Sequence, residues 1–334
     1  MVGPLPTDYP VQMSSITPEV VACPPELRAE ALALALCELA PSQRREIAGD
    51  LAHDRQRDAE AARALFAALR GEHLCGAAWG QFQPGNTAVF WPPRFDAVDD
   101  ASAVGGKLTA EVVAALDAAG VAMTQALLPA QDAPESSLLA AAGFRYLTDL
   151  VYLTCERDRF PSEAPKTRLL EFVAYDESQR GRLANLLDRT YEGTLDCAAL
   201  GSERQIDEVI AGYQETGEYR PSNWFFVRSS TVAGRVYADV GVLLLANHRD
   251  APHMELIYMG LIPYARGRGW GRQIVQHAQW TAKIAGAQRL VTAVDAMNVP
   301  GLGVYRSTHF EIWDRRSVFV RFLTKPQAIV GESA

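Results

Sequence analysis

Glu255-Leu-Ile-Tyr-Met-Gly-Leu-Ile-Pro-Tyr-Ala-Arg-Gly-Arg-Gly-Trp-Gly271 sets the reading of the whole chain. Residues 255–262 are mostly apolar and read as a buried strand that stops at Pro263. A long helix is expected over residues 268–285, closed by Gly286. Between them, Gly267, Gly269 and Gly271 let the backbone approach a ligand closely and take conformations that a Cβ disfavours. The first N–H groups of a helix have no partner inside it, and with the helix dipole they make an anion site. Arg266, Arg268 and Arg272 add positive charge there, in a chain that is acidic elsewhere. A diphosphate fits this chemistry. The Lys-Ser/Thr pair of a nucleotide P-loop is missing.

Working outward, the second half reads as strands at 169–174, 223–228, 236–246, 289–294 and 313–323, with helices at 178–191, 203–213 and 300–307. The first half gives a similar order. Residues 25–69 read as helical, with a break at Pro41-Ser42, where Ser42 could cap a second helix. Strands at 73–83 and 87–91 flank a turn at Pro84-Gly85-Asn86. A Gly105-Gly106 turn, a helix at 110–119, a strand at 121–128, a short helix at 134–142 ending on Gly143 and a strand at 146–155 follow. The fold class is therefore α/β: a mixed central sheet flanked by helices, in two tandem and degenerate copies. Leu138-Leu-Ala-Ala-Ala-Gly-Phe144 echoes Val304-Tyr-Arg-Ser-Thr-His-Phe310, each a short helix running into an aromatic residue and a last strand. The expected division is an arm at 1–18, a first domain at 19–157, a Pro-rich linker at 158–166, a second domain at 167–325 and a tail at 326–334.

The Gly-rich turn resembles the cofactor motif of the GNAT N-acetyltransferase superfamily, Arg/Gln-x-x-Gly-x-Gly/Ala, here Arg266-Gly-Arg-Gly269-Trp-Gly271. Downstream, Asn298-Val-Pro-Gly301-Leu-Gly-Val-Tyr305-Arg-Ser-Thr-His309-Phe310 is similar to the family's Asn-x-x-Ala-x-x-x-Tyr-x-x-x-Gly-Phe. It departs at Gly301 and at His309, where loss of glycine removes a left-handed helix cap and predicts a different turn. The two-copy layout resembles that of tandem GNAT proteins such as mycothiol synthase. The resemblance implies acetyl-CoA as co-substrate, its pyrophosphate on the turn and its pantetheine arm along the strand as an extra strand. Cofactor-binding residues are then Met259, Gly260, Leu261, Ile262, Arg266, Gly267, Arg268, Gly269, Trp270, Gly271, Arg272, Asn298 and Tyr305.

Acetyl transfer from a thioester to an amine needs a base for the ammonium, donors for the carbonyl oxygen and a proton for the leaving thiolate. Glu255, at the start of the strand between Met254 and Leu256, is the candidate base, with a carboxyl that its apolar neighbours could raise. Tyr305 is the candidate acid, since its family counterpart points at the sulfur. Backbone N–H groups around Met259 to Leu261 would polarise the carbonyl. Tyr191, Glu192, Asp196 and Tyr213 are the acceptor-site candidates, a carboxylate pair suiting a cation. The first half lacks these devices: Leu139 stands where Tyr305 does, so it reads as a copy without catalysis.

Bulk properties narrow the function classes. The chain has 334 residues, 48% of them hydrophobic, and a net charge of −8, which disfavours nucleic-acid binding. No apolar run reaches the ~20 residues a membrane span needs, and residues 1–18 do not read as a signal peptide. Cys23, Cys37, Cys75, Cys155 and Cys197 have no metal-ligand spacing and read as reduced thiols of a cytoplasmic protein. The expected activity is acetylation of a small-molecule primary amine, with no metal. The alternatives are a protein N-terminal or lysine acetyltransferase, and a non-catalytic acyl-CoA sensor.

Overall fold

A computed structural model describes residues 17–39, 41, 44, 47, 62–96, 101–167, 169–197, 205–230, 238–248 and 251–323. Ser42, most of the arm and the tail lie outside them. The chain divides into two compact units, Met1–Trp79 with Pro92–Ala114, and Gly80–Trp91 with Ala115–Ala334.

The first unit carries β1 (Glu19–Ala22), α1 (Arg28–Ala35), β2 (Leu65–Arg70) and most of β3 (His73–Gln83). β1 pairs antiparallel with β2, and β2 with β3. The expected helix over 25–69 is thus corrected at its end. Leu65–Arg70 is Ala- and Leu-rich, but its backbone is taken by two strand partners, and Leu65, Ala67 and Ala68 are fully buried. Tertiary pairing overrides local propensity here. Gly105 and Gly106 are likewise not a turn. They lie inside α2 (Ala101–Ala118).

The second unit contains, after the start of β4 (Thr87–Phe95), the elements β5 (Met123–Leu128), α3 (Glu135–Ala141), β6 (Arg145–Glu156), β7 (Leu170–Ala174), α4 (Arg180–Tyr191), α5 (Ile206–Gln214), β8 (Trp224–Ser229), β9 (Ala238–Asn247), β10 (His253–Leu261), α6 (Trp270–Ile284), β11 (Arg289–Asp295), α7 (Val299–Ser307) and β12 (Glu311–Phe322). Its strands run in the order β4-β5-β12-β6-β11-β10-β9-β8-β7. β4–β5 and β10–β11 are parallel and the other pairs antiparallel, so the sheet is mixed.

That order contains an exchange. β12, from the end of the chain, lies between β5 and β6, and β6 lies between β12 and β11. The sheet therefore does not divide at residues 158–166. The expected linker is also packed: Arg157 N–H donates to Gln288 O, its guanidinium to Lys283 O and Ala287 O, and Lys283 Nζ donates to Pro161 O. Arg157 thereby satisfies one carbonyl in the last turn of α6, that of Lys283, and two just beyond it.

α6 and α4 are held by stripes of helical spacing. α6 buries Trp270, Ile274, Val275, Ala278 and Ala282, and α4 buries Leu183, Leu186, Leu187 and Thr190. Truncating one of the large aliphatic residues to Ala would cost roughly 2–5 kcal/mol. Gly286, at φ 86°, ends α6 as the spacing requires. Among the described residues no helix is long and apolar enough to cross a membrane.

The two short helices α3 and α7 end alike. Phe144 N–H donates to Leu139 O at 3.0 Å, and Phe310 N–H to Tyr305 O at 3.0 Å. Gly143 has φ 84° and His309 φ 66°. The turn expected to differ at His309 is therefore the same left-handed cap, held without glycine.

Candidate functional site

β10 and β11 begin as neighbours and then separate. Their pairing covers His253–Arg289, Met254–Leu290 and Glu255–Val291 and goes no further. Beyond that point β10 continues with β9 and β11 with β6, leaving a gap with two free edges. A bulge in β10 between Leu256 and Tyr258 falls where the strands part. Thr292 Oγ1 donates to Leu256 O at 3.0 Å at the apex of the gap. Ile262 N–H donates to Val240 O on β9. Strand alternation then turns the amides of Met259 and Leu261 into the gap, where a ligand in extended form would meet them.

The Gly-rich turn stands at the open end. Gly267 (φ 73°) and Gly269 (φ 74°) are both left-handed, and Gly269 is the N-cap of α6 with no side chain over the first N–H groups. These donors and the helix dipole favour an anion at this point. The neighbouring side chains divide the work differently from the sequence reading. Arg266 is not free to hold a phosphate: Nε donates to Leu261 O at 2.9 Å, and the two terminal nitrogens to Gly193 O at 2.8 Å and Thr190 O at 2.9 Å. It ties the C-terminal end of α4 to the turn. Arg268 donates to Tyr264 O and lies 5.5 Å over the buried Trp270 ring, while Arg272 is exposed. Gly271 serves packing, because a Cβ there would sit 3.2 Å from Val304 of α7. Gly260 does the same for α4, since its Cβ would lie 2.8 Å from Thr190.

Asn298 caps α7 by accepting from Gly301 N–H at 3.0 Å. A Cβ on Gly301 would stand 2.8 Å from that side chain, which explains glycine at this position. Tyr305 is buried, its ring 5.2 Å from Phe310. Burial pushes its phenol above the usual range, and the charge of Asp196 adds to this.

The Glu255 carboxylate is 2.9 Å from His248 Nε2. His248 stacks on His253 at 4.4 Å, and burial first, then the charges of His248 and Arg289, lower His253 to about 4. His248 was not singled out in the sequence. The β9–β10 register, Asn247 opposite Met254 and Ala246 opposite Glu255, carries residue 248 to His253 and leaves it diagonal to Glu255 on the same face.

Tyr191, Glu192, Asp196 and Tyr213 line one cavity of about 1060 Å³, whereas Glu255 and Tyr305 do not. The Tyr191 and Tyr213 hydroxyls are 2.8 Å apart, and both rings pack on Tyr258. Asp196 is half-buried, and burial holds its carboxyl above the usual range. Asp295, at the end of β11, fixes this corner: its N–H donates to Asp196, and its carboxylate accepts from Cys197 N–H, Thr148 Oγ1 and Met297 N–H. Cys197 is held at φ 48° there. Asp295 carries no sequence signal beyond ending a strand. Among the described residues no group of His, Cys, Asp and Glu could hold a metal ion.

Comparisons with known proteins agree with this architecture. Residues 186–310 match the model of the acetyltransferase (GNAT) family. No curated protein matches the chain by sequence. Among solved structures, a GCN5-related N-acetyltransferase from Sphaerobacter thermophilus is 15% identical with a TM-score of 0.61, over 92% of this chain and 96% of that one. A tandem GNAT protein from the clavulanic acid biosynthesis pathway is 14% identical with a TM-score of 0.48, over 78% of this chain and 83% of that one. A GCN5-related glucosamine N-acetyltransferase region of a fungal multi-domain GH3 β-N-acetylglucosaminidase is 17% identical with a TM-score of 0.54, over 77% of this chain and 33% of that one. The first and third share the fold of this chain. With the splayed strands, the left-handed glycine turn and the matched motif lying together, the second half of the chain, residues 186–310, is a domain of the acetyltransferase (GNAT) family.

Proposed function

We propose that the chain acetylates the primary amine of a small molecule, with acetyl-CoA as donor. The observation that carries this is the gap between β10 and β11, which runs from the uncapped N-terminus of α6 to Thr292 at its apex. The amides of Met259 and Leu261, Gly267, Gly269 and the first turn of α6 would hold the co-substrate, which supplies an activated acetyl carbonyl and a thiolate leaving group. The gap-facing amides stabilise the oxygen on which negative charge develops. Glu255 takes the proton of the attacking amine, directly or through water, and His248 orients its carboxylate. Tyr305 keeps its proton at neutral pH and gives it to the sulfur as the C–S bond breaks. The cavity beside the gap receives the amine. All five cysteines are free thiols, which supports a cytoplasmic setting.

The test is turnover of the full chain with acetyl-CoA and a diverse amine panel, read as free thiol. Amine-dependent thiol release is expected. Acetyl-CoA binding without release for any amine would make the chain an acyl-CoA sensor. Acetylation of peptides alone would make it a protein acetyltransferase.

A further inference from the structure

The cavity has two unlike walls. Met123 of β5, Leu147 and Leu150 of β6, and Val318 and Val320 of β12 form one, on three neighbouring strands. These residues pack with Leu127 and Phe322 into a small apolar cluster of their own. The other wall carries Asp188, Glu192 and Asp196, the first two one helical turn apart on α4. Among the described residues no Lys, Arg or His lines the cavity, and none of the three carboxylates makes an ion pair.

The placement of these acids works against the helix. Asp188 is in the last turn of α4 and Glu192 is its C-cap, where the helix dipole disfavours negative charge. Two like charges at i and i+4 repel as well. A bound cation relieves both. The acidic wall also meets β11, one edge of the gap: Asp196 accepts from Asp295 N–H at 2.8 Å. An ammonium on this wall therefore stands at the gap, with the rest of its molecule directed to the apolar wall. At about 1060 Å³ the cavity is at the large end for a small-molecule site, and a short hydrophilic amine would leave the apolar wall wet.

We infer that the acceptor is an amphiphilic cation: a primary amine on an apolar body, with no carboxylate beside the amine. This rests on the reading of the chain as an amine acetyltransferase. An amino acid is disfavoured because its carboxylate would enter beside Asp196 and Glu192.

Three probes separate the terms. 2-Phenylethylamine has the ammonium and the body, phenylalanine adds a carboxylate, and ethanolamine lacks the body. With the full chain and acetyl-CoA, kcat/KM for 2-phenylethylamine should exceed both others by about 10- to 100-fold, the factor that corresponds to burying one phenyl-sized side chain. The double variant Asp188→Asn with Glu192→Gln should raise KM for 2-phenylethylamine at least about tenfold, with little change in kcat or in acetyl-CoA affinity. Equal or better turnover of ethanolamine or phenylalanine overturns the inference while leaving amine acetylation intact. If no amine releases thiol, acetylation itself fails, and calorimetry decides the cavity. Binding of 2-phenylethylamine at one site, weakened in the double variant, supports the two-walled site. No binding, or binding unchanged in that variant, overturns it.

Discussion

Arg266→Ala separates two roles that one arginine in a phosphate-binding turn can have. The guanidinium donates to three backbone carbonyls, Leu261 O, Gly193 O and Thr190 O, each within 3 Å. Hydrogen bonds from charged donors contribute about 1.5–3 kcal/mol each, but Arg266 is half-buried and water can replace part of each bond. Roughly 1 kcal/mol per bond then gives about 3 kcal/mol in all, part of it the favourable placing of a cation at the C-terminal end of α4. Urea unfolding followed by tryptophan fluorescence should show a loss on the order of 2–3 kcal/mol. Arg266→Lys should recover less than half, since an ammonium cannot serve three carbonyls spread around a planar fork. Acetyl-CoA affinity should fall only as the turn loosens, by about tenfold or less. A hundredfold loss of affinity with an unchanged unfolding midpoint would refute the reasoning, because the guanidinium would then be acting on the diphosphate itself.

Gly269→Val forces a β-branched residue to φ 74° at the N-cap of α6, a strain of about 1–3 kcal/mol that re-aims the first amides; calorimetry should detect no acetyl-CoA binding, and native affinity would sink the site. Tyr305→Phe should slow the chemical step about 10- to 1,000-fold in single-turnover experiments with acetyl-CoA affinity kept, and Glu255→Gln should depress the low-pH limb of the rate profile most; native rates in both remove the acid–base roles. Burial lowers His277 to about 4 from 6.5, so between these values the unfolded chain binds a proton that the folded chain does not, and stability falls as pH drops through that window. His277→Phe keeps the ring stacked on Phe172 and should reduce that slope in urea unfolding from pH 7 to 4.5, leaving the part due to His253; an unchanged slope contradicts the assignment. A fragment of residues 167–325 should not fold, because β11 and β12 both lose β6; a soluble fragment that binds acetyl-CoA would show the exchanged strands to be dispensable.

The Gly-rich turn between β10 and α6 was legible because its signals are local: an apolar run, Pro263, spaced glycines and a helical stripe occupy one short segment. That Tyr191, Glu192, Asp196 and Tyr213 line one cavity was legible for a similar reason, since they lie on or just beyond two helices that the spacing already marked. What was hidden depends on distant partners. Leu65–Arg70 has helix-forming composition, and only β1 and β3 make it a strand. The β5-β12-β6-β11 order joins segments nearly two hundred residues apart, and alternation along β6 and β12 does not name the neighbour. His248 and Asp295 act by holding Glu255 and the Asp196 loop, and a residue that works through another leaves no motif of its own.

The repeated helix ends connect the hidden topology to the chemistry. Leu139 and Tyr305 occupy equivalent places: both are buried, and both offer the carbonyl that closes the turn onto Phe144 or Phe310. What differs is the group at the tip, an apolar methyl in one and a phenol hydroxyl in the other. Packing therefore needs only a large buried side chain at this place, and a hydroxyl must have another use. The cap confirms that geometry outranks residue type, since His309 holds at φ 66° what Gly143 holds at 84°. The exchange then gives the first copy a use that needs no acid or base. With β12 seated between β5 and β6, Met123, Leu147 and Leu150 of the first half stand beside Val318 and Val320 of the second. Segments with no chemical groups of their own thus build the apolar wall of the cavity, while α4, from the half with the cofactor turn, supplies its charge.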